Sequence, residues 1–317
     1  MADTITLRKI SGVPDPGSEF RLVRAQVSGR GTGLFLFGQS RLAASRRGHT
    51  APNLGLFEKT RLQARNRLCV VECSGAGTNT TMLAGRKSAE PLIDVTRNGQ
   101  LVLIDEDQMA GNYRDYGDTL AVLGPDGNEL RRFPVGEGPC DLAVDEHDRI
   151  WISYFPEWDY GAPLDGNPQV DGSGQSSENC FDLDGKLIWQ RGIERDDHGY
   201  PVCSDVLNVG ATMIFADRQR CWSCDAETKQ ITGMDGLESS CEALAWGHTH
   251  SLAAGTCNCR TGLLYRSASG QIEPPNRVDL RLEDGETDST GNFYARGSVL
   301  HYISRAGWYR LDINALE

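Results

Sequence analysis

The chain has no run of apolar residues near the ~18 needed to cross a membrane as a helix, so no membrane-spanning helix is expected. Its opening, Met1-Ala2-Asp3-Thr4, lacks the basic and then apolar order of a secretory signal, so the expected location is cytoplasmic. Basic residues are in the minority, 32 Lys and Arg against 44 Asp and Glu, for a net charge of −12. That balance excludes general binding to duplex nucleic acid, which rests on phosphate neutralisation by Lys and Arg. There is no Gly-x-Ser-x-Gly nucleophile elbow and no phosphate loop ending in Gly-Lys-Ser/Thr.

What the chain does have is glycine, 36 residues in 317, with 39% hydrophobic content. This reads as a turn-rich, strand-rich folded protein. Ten cysteines in a cytoplasmic chain are expected to be reduced and packed as small apolar groups.

One phrase recurs: an acidic residue, a short apolar run, a turn, and a second apolar run. Ile93-Asp94-Val95 leads through Asn98-Gly99 into Leu101–Ile104. Cys140-Asp141-Leu142-Ala143-Val144 leads through Asp148 into Ile150–Ile152. Ser204-Asp205-Val206-Leu207 leads through Gly210 into Met213–Phe215, and Cys241-Glu242-Ala243-Leu244 leads through Gly247 into Ser251–Ala253. A fainter copy begins at Glu286 and leads into Phe293–Ala295.

Repeats of about 40 to 50 residues with about four strands each predict a β-propeller. The expected fold is all-β: one domain over residues 1–317 with six blades, seven being the alternative, and four antiparallel strands per blade. The first unit is expected at Phe20–Val27, Gly33–Phe37, Leu68–Val71 and Thr80–Leu83. Thr4–Leu7 is expected as an edge strand that helps ring closure. Strand order places the loops at about 38–66, 105–118 and 156–178 on the face where the inner strands begin. Long irregular segments of this kind carry function more often than connection alone requires.

The acidic residues predict a ring of Asp94, Asp141, Asp205, Glu242 and Glu286 near the axis, with Glu19 of the first unit as a further candidate. Converging carboxylates repel unless a hard cation, a basic partner or raised pKa values relieve them. One reading is a calcium or magnesium site, with Asp141, Asp205 and Glu242 as ligands. The other is structural: each acid accepts backbone N–H groups of the neighbouring blade.

The phrase Gly138-Pro139-Cys140-Asp141-Leu142-Ala143-Val144-Asp145, followed by Ile150-Trp151-Ile152, resembles the blade phrase of NHL-repeat propellers. It is also similar to the regucalcin/gluconolactonase family of six-bladed, metal-dependent hydrolases. Val135-Gly136-Glu137-Gly138-Pro139 resembles that family's Gly-Glu-Gly-Pro element, which implies a metal-binding role for Glu137. Asp205 falls at the position of the family's ligand Asn. Cys140 stands where a ligand Asp would be. The resemblance covers about residues 92–260.

Several other groups merit weighing. His248 and His250 have the spacing of two ligands on a strand, yet they fall in an inner hairpin turn, where solvated histidines are expected. Cys221, Cys224, Cys257 and Cys259 have the ligand count for zinc, but sit at strand starts of consecutive blades, where separate packing is expected. Arg41, Arg46, Arg47, Lys59, Arg61, Arg65 and Arg67 make the first long loop basic. Asp105, Glu106, Asp107, Asp115 and Asp118 make the second acidic. The third loop carries Trp158 and Tyr160, residue types that anchor partners.

The functional expectation is a binding or scaffold propeller that engages a small molecule, peptide or protein at the axial mouth and loop face. The alternative is a metal-dependent hydrolase or lyase with an axial divalent cation.

Overall fold

The structure is a computed structural model that describes residues 3–39, 66–86, 91–105, 118–136, 139–154, 176–192, 205–216, 220–237, 240–255, 260–268, 271–287 and 290–316. It is all-β, built from small antiparallel sheets in a propeller-like arrangement.

After the N-terminal strand β1 (Asp3–Ser11) comes a four-stranded sheet of β2 (Phe20–Val27), β3 (Gly33–Gln39), β4 (Asn66–Ser74) and β5 (Gly77–Arg86). The second sheet is β6 (Leu92–Val95), β7 (Leu101–Asp105), β8 (Asp118–Leu123) and β9 (Glu129–Gly136). The third is β10 (Pro139–Val144), β11 (Ile150–Tyr154), β12 (Ser176–Phe181) and β13 (Leu187–Gly192). The fourth is β14 (Asp205–Asn208), β15 (Thr212–Ala216), β16 (Cys221–Asp225) and β17 (Ile231–Gly233).

The rest forms one nine-stranded sheet with two arms. One arm holds β18 (Ala243–Trp246), β19 (His250–Ala254), β20 (Thr261–Ala268), the short β21 (Gln271–Ile272) and β22 (Asn276–Leu282). The other holds β23 (Asn292–Arg296), β24 (Val299–Ser304) and β25 (Gly307–Asp312), followed by a 3-10 turn at Ile313–Leu316.

The strands form where β-branched and aromatic residues alternate or run together, and tight turns separate them. Gly99 and Gly127 adopt φ of 78° and 81°, which glycine reaches without steric cost. Gly185 has a second reason to be glycine: a Cβ there would lie 2.5 Å from the Phe133 ring of the preceding sheet.

Each sheet buries both faces, so the hydrophobic core is divided among the gaps between sheets. Leu34, Leu36 and Val70 of the first sheet pack on Ile93, Val95 and Leu103 of the second. Trp151 of the third meets Phe215 of the fourth at a ring-centroid distance of 5.9 Å. The last gap returns to the start: Ile303 and Trp308 pack on Val27, Phe35 and Phe37. This continuity from sheet to sheet makes the arrangement a closed one.

The N-terminal strand fastens the closure. Residues Asp3–Leu7 of β1 pair in parallel with Val278–Leu282 of β22. Arg8–Ser11 then pair antiparallel with Trp308–Arg310 of β25. The same strand therefore borders both arms and seals the apolar layer between them, where Leu7 is fully buried. The expected edge strand is thus longer than Thr4–Leu7 and serves two neighbours at once.

The hairpin after β20 returns only as the two-residue strand β21. The long partner of β20 is β22, whose alternation of buried Val278, Leu280 and Leu282 with outward Arg277 and Arg281 is a clear half-buried strand pattern.

Candidate functional site

The inner strands β2, β6, β10, β14, β18 and β23 surround the axis, and their two ends differ in character. At the end carrying the inner hairpin turns, polar side chains tie the sheets together. Asp94 stands two residues before the turn that Thr96 and Gln100 close. Its Oδ1 accepts from Gly29 N in the first sheet at 3.1 Å. Its Oδ2 accepts from Val144 N in the third sheet at 2.7 Å. Val95 N adds a third donor at 2.7 Å. A carboxylate with two lone-pair-bearing oxygens suits this spanning role, since it can accept on both sides.

Asp94 is fully buried, and burial pushes its carboxyl up to about 6. The nearby Arg296 guanidinium and the three amide donors work in the opposite direction. Gly29 is glycine because this crossing is crowded: a methyl group there would overlap the Val144 carbonyl oxygen.

The other half of the ring has its own hub. Asn208, 1% exposed, donates through Nδ2 to Leu244 O at 2.8 Å and to Gly297 O at 2.7 Å. Its Oδ1 accepts from Gly297 N at 2.7 Å. Between the hubs runs Arg296, at the end of β23. Its Nε donates to Ser28 O at 2.8 Å, its Nη1 to Ala295 O at 2.9 Å, and its Nη2 to Val27 O. Gln26 completes the set by donating to Ile93 O. Neither Asn208 nor Arg296 was among the expected site residues. The visible signal was weak: a polar residue near the end of four inner strands, β2, β6, β14 and β23, where the sequence phrase drew attention to the start.

The opposite end is where the inner strands begin. There Asp141, half-buried, accepts from Leu142 N at 2.8 Å and lies close enough to Arg296 and Tyr294 for their charges to interact. Glu242, at the solvent margin, accepts from Phe293 N of the neighbouring strand β23 at 2.9 Å. Desolvation raises its carboxyl above the usual range, against that N–H. Gly255 lies against its stem, leaving 2.7 Å between a notional Cβ and Glu242 Cγ. Tyr294 donates to Ala25 O across the seam between first and last sheets. Burial raises its phenol, with Arg24 acting against that rise and Asp141 and Glu242 adding to it. The charged neighbours of this mouth therefore include Arg24 as well as acids.

The expected ring is thus brought together only in part. Asp94 and Asp141 are not equivalent, because Asp94 precedes its turn by two residues and Asp141 precedes the Asp145–Arg149 turn by four. Ala143 occupies the position in β10 that Asp94 holds in β6. Asp205 lies in β14, opposite Ala216 by register. Glu286 stands apart: it is exposed in the connection after β22, where its carbonyl accepts from Arg260 at 2.7 Å. Glu137, Trp158 and Tyr160, with the long loops that carry the last two, lie outside the described residues.

Among the described residues, no group of three or more His, Cys, Asp or Glu side chains is arranged to hold a metal ion. His248 lies in the β18–β19 turn and His250 begins β19, with His250 Nδ1 2.9 Å from Thr249 Oγ1. Cys221 and Cys224 pack into different apolar layers, on opposite faces of the fourth sheet. Cys257 and Cys259 are outside the described residues. No helix among the described residues is long and apolar enough to cross a membrane.

No family model matches the chain, and no curated protein matches it. Among solved structures it is similar to a chain in the crystal structure of the mitotic checkpoint complex. That likeness has 9% identity and a TM-score of 0.47, and covers 94% of this chain and 76% of that one. It is also similar to the extracellular domain of a putative one component system from B. thetaiotaomicron. There the identity is 12% and the TM-score 0.43, covering 96% of this chain and 39% of that one. Both scores fall below one half, and neither likeness bears on activity or partners.

Proposed function

We propose that the chain is a single six-bladed β-propeller, four antiparallel strands per blade, that acts as a binding scaffold. Its ligand, a small molecule, peptide or protein, docks at the mouth where the inner strands begin and on the long loops around it. The observation that carries this reading is the division of labour between the two ends of the axis. At the inner-turn end, Asp94, Asn208 and Arg296 are committed to backbone groups of neighbouring sheets. Groups so committed hold architecture and are not free to bind a ligand.

At the other end, Asp141, Glu242, Arg24 and Tyr294 bring mixed charge to one mouth. The register pairs Phe20 with Gln39, Leu92 with Ile104, and Pro139 with Tyr154, so the segments that follow β3, β7 and β11 leave from this same end. Trp158 and Tyr160 belong to the third of these segments and are proposed as the aromatic anchors. The charge of Arg296 acts on Asp141 and supports a mouth that holds its acids without a cation.

The test pairs two measurements. Calcium or magnesium should leave the melting temperature unchanged. A rise in melting temperature that Asp141→Asn, Asp205→Asn or Glu242→Gln abolishes would establish the metal-dependent alternative instead. Replacing Trp158 and Tyr160 by Ala should abolish capture of a binding partner while the melting temperature holds. Unchanged capture would remove the third loop from the docking surface.

A further inference from the structure

On the outside of the seam formed by β22, β1 and β25, alternate residues face outward. The register fixes their neighbours. Thr6 lies opposite Arg281 on β22, and Arg8 lies directly opposite Arg310 on β25. Thr6 and Arg8 are two residues apart on β1 with no irregularity between them, so all four side chains share one face. All four residues are exposed, while Ile5, Leu7, Leu280 and Leu282 on the reverse face are buried in the layer between the arms. Arg277 extends the same face along β22.

Among the described residues, none of Arg8, Arg277, Arg281 and Arg310 has a carboxylate partner. The acids nearby are engaged or half-buried. Asp279, half-buried, lies between Arg277 and Arg281 on their strand. Glu283 accepts from Lys9 N at 3.0 Å. Asp284 pairs with Lys9 Nζ at 2.7 Å, and Asp312 accepts from Ser298 Oγ at 2.8 Å. Among the described residues these four arginines make no ion pair, and they outnumber the acids that share their face, Asp279 and Asp312, on a protein of net charge −12. Like charges placed directly across a sheet destabilise it, so Arg8 opposite Arg310 is a cost to the fold itself. Contrast the paired arginines on other outer strands, such as Arg131 with Asp184 at 2.7 Å and Arg132 with Glu129 at 2.6 Å.

We propose that this seam is a docking surface for an acidic segment of a partner protein, laid across β22, β1 and β25. The outer two of these strands are two strand spacings apart, roughly 10 Å, which about three residues of extended chain span. Carboxylates within an Asp- and Glu-rich run meet guanidinium groups at that spacing, and arginine binds carboxylate through paired N–H donors. A nucleic acid strand fits less well, because its continuous high charge density is repelled by the remaining acidic surface. This surface lies on the outer rim and is independent of the axial mouth.

The experiment is a fluorescence-anisotropy titration of the full chain with a labelled peptide that alternates Glu and Ser. Binding should weaken as salt rises, because exposed charge pairs are screened. The triple variant Arg8→Gln, Arg281→Gln, Arg310→Gln should bind about tenfold or more weakly. Its melting temperature should be unchanged or higher, since a repulsive pair is removed. Arg281→Gln alone keeps β1 and β25 untouched and should show part of the same loss. Arg131→Gln, elsewhere on the rim, should change nothing. The proposal is overturned if the triple variant binds like the unaltered chain, or if Arg131→Gln weakens binding equally. It is also overturned if a single-stranded oligonucleotide of equal charge binds more tightly through these same arginines.

Discussion

Replacing Asp94 by Ala separates two opposed effects of one buried carboxylate. The side chain satisfies Gly29 N and Val144 N on two neighbouring sheets. Removing it leaves both donors buried without an acceptor, at about 1–3 kcal/mol each. Against that loss stands the cost of keeping the carboxyl out of water. Its rise from 3.8 to about 6 is roughly two pH units, so at neutral pH the ionised native form is disfavoured by about 3 kcal/mol relative to the unfolded chain. The variant no longer bears that cost. At pH 7 the net effect should therefore be small, between a gain of about 1 kcal/mol and a loss of about 3 kcal/mol.

The pH dependence carries the test. Because the folded pKa is raised, the native state holds a proton between pH 6 and 3.8 that the unfolded state has released. The stabilisation tied to that proton is fully present below 3.8 and is lost as pH rises through 6. The unaltered chain should thus gain stability relative to Asp94→Ala as pH falls through this window, by up to about 3 kcal/mol. Denaturant unfolding of both proteins at pH 7 and pH 4.5 measures it, and taking the difference cancels every other titrating group. A gap that narrows at low pH would refute the reasoning. It would mean that attraction to Arg296 and the amide donors outweighs burial, and that the ionised form is the stabilising one.

Two further predictions concern the last arm. His301 is 1% exposed, accepts from Trp308 Nε1 at 3.2 Å, and burial lowers its pKa to about 3. Between pH 6.5 and 3 only the unfolded state takes up its proton, so this residue should cost about 1.4 kcal/mol of stability per pH unit as pH falls; unfolding of His301→Gln should lack that component, and an unchanged slope would refute the assignment. Leu7 is fully buried beneath β1, so Leu7→Ala should destabilise by about 2–5 kcal/mol in denaturant unfolding; a cost below about 1 kcal/mol would mean that the N-terminal strand does not fasten the two arms.

The sheet order was legible because its cause is local. Apolar runs bounded by Asn-Gly, Pro-Asp-Gly and Asp-Gly turns mark strands and hairpins within a few residues of each other, and the first unit fell at Phe20, Gly33, Asn66 and Gly77 as the pattern suggested. The double pairing of β1 was not legible, since it depends on contacts across almost the whole chain. The places of the acidic residues were hard to read for a related reason. Aligning copies on their acidic residue treated Asp94 and Asp141 as equivalent, whereas the turns that follow them set a register two residues apart. In a strand the side-chain direction repeats every two residues, so such an offset keeps the face but moves the group along the axis. Glu286 failed differently, because the apolar run after it begins only at Asn292. Asn208 and Arg296 went unnoticed because a single polar residue at a strand end is common, and only the fold shows what it reaches.

These positions explain why the two ends of the axis should differ in function. Sheets packed side by side bury their apolar faces, but that force is non-directional and leaves the ring free to slip or open. Directional bonds between sheets are needed to fix it, and a crowded inner turn is where backbone groups of several sheets come within reach of one side chain. Asp94 serves the first three sheets, Asn208 ties the fourth to both arms of the last, and Arg296 spans the seam between the last and the first. More of this fastening lies at that end, while the opposite mouth holds two bonds of the same kind, from Phe293 N to Glu242 and from Tyr294 to Ala25 O. Acidic residues at the two ends should therefore differ in degree: removal of Asp94, which accepts from two neighbouring sheets, should cost more stability than removal of Glu242, which accepts from one neighbouring strand.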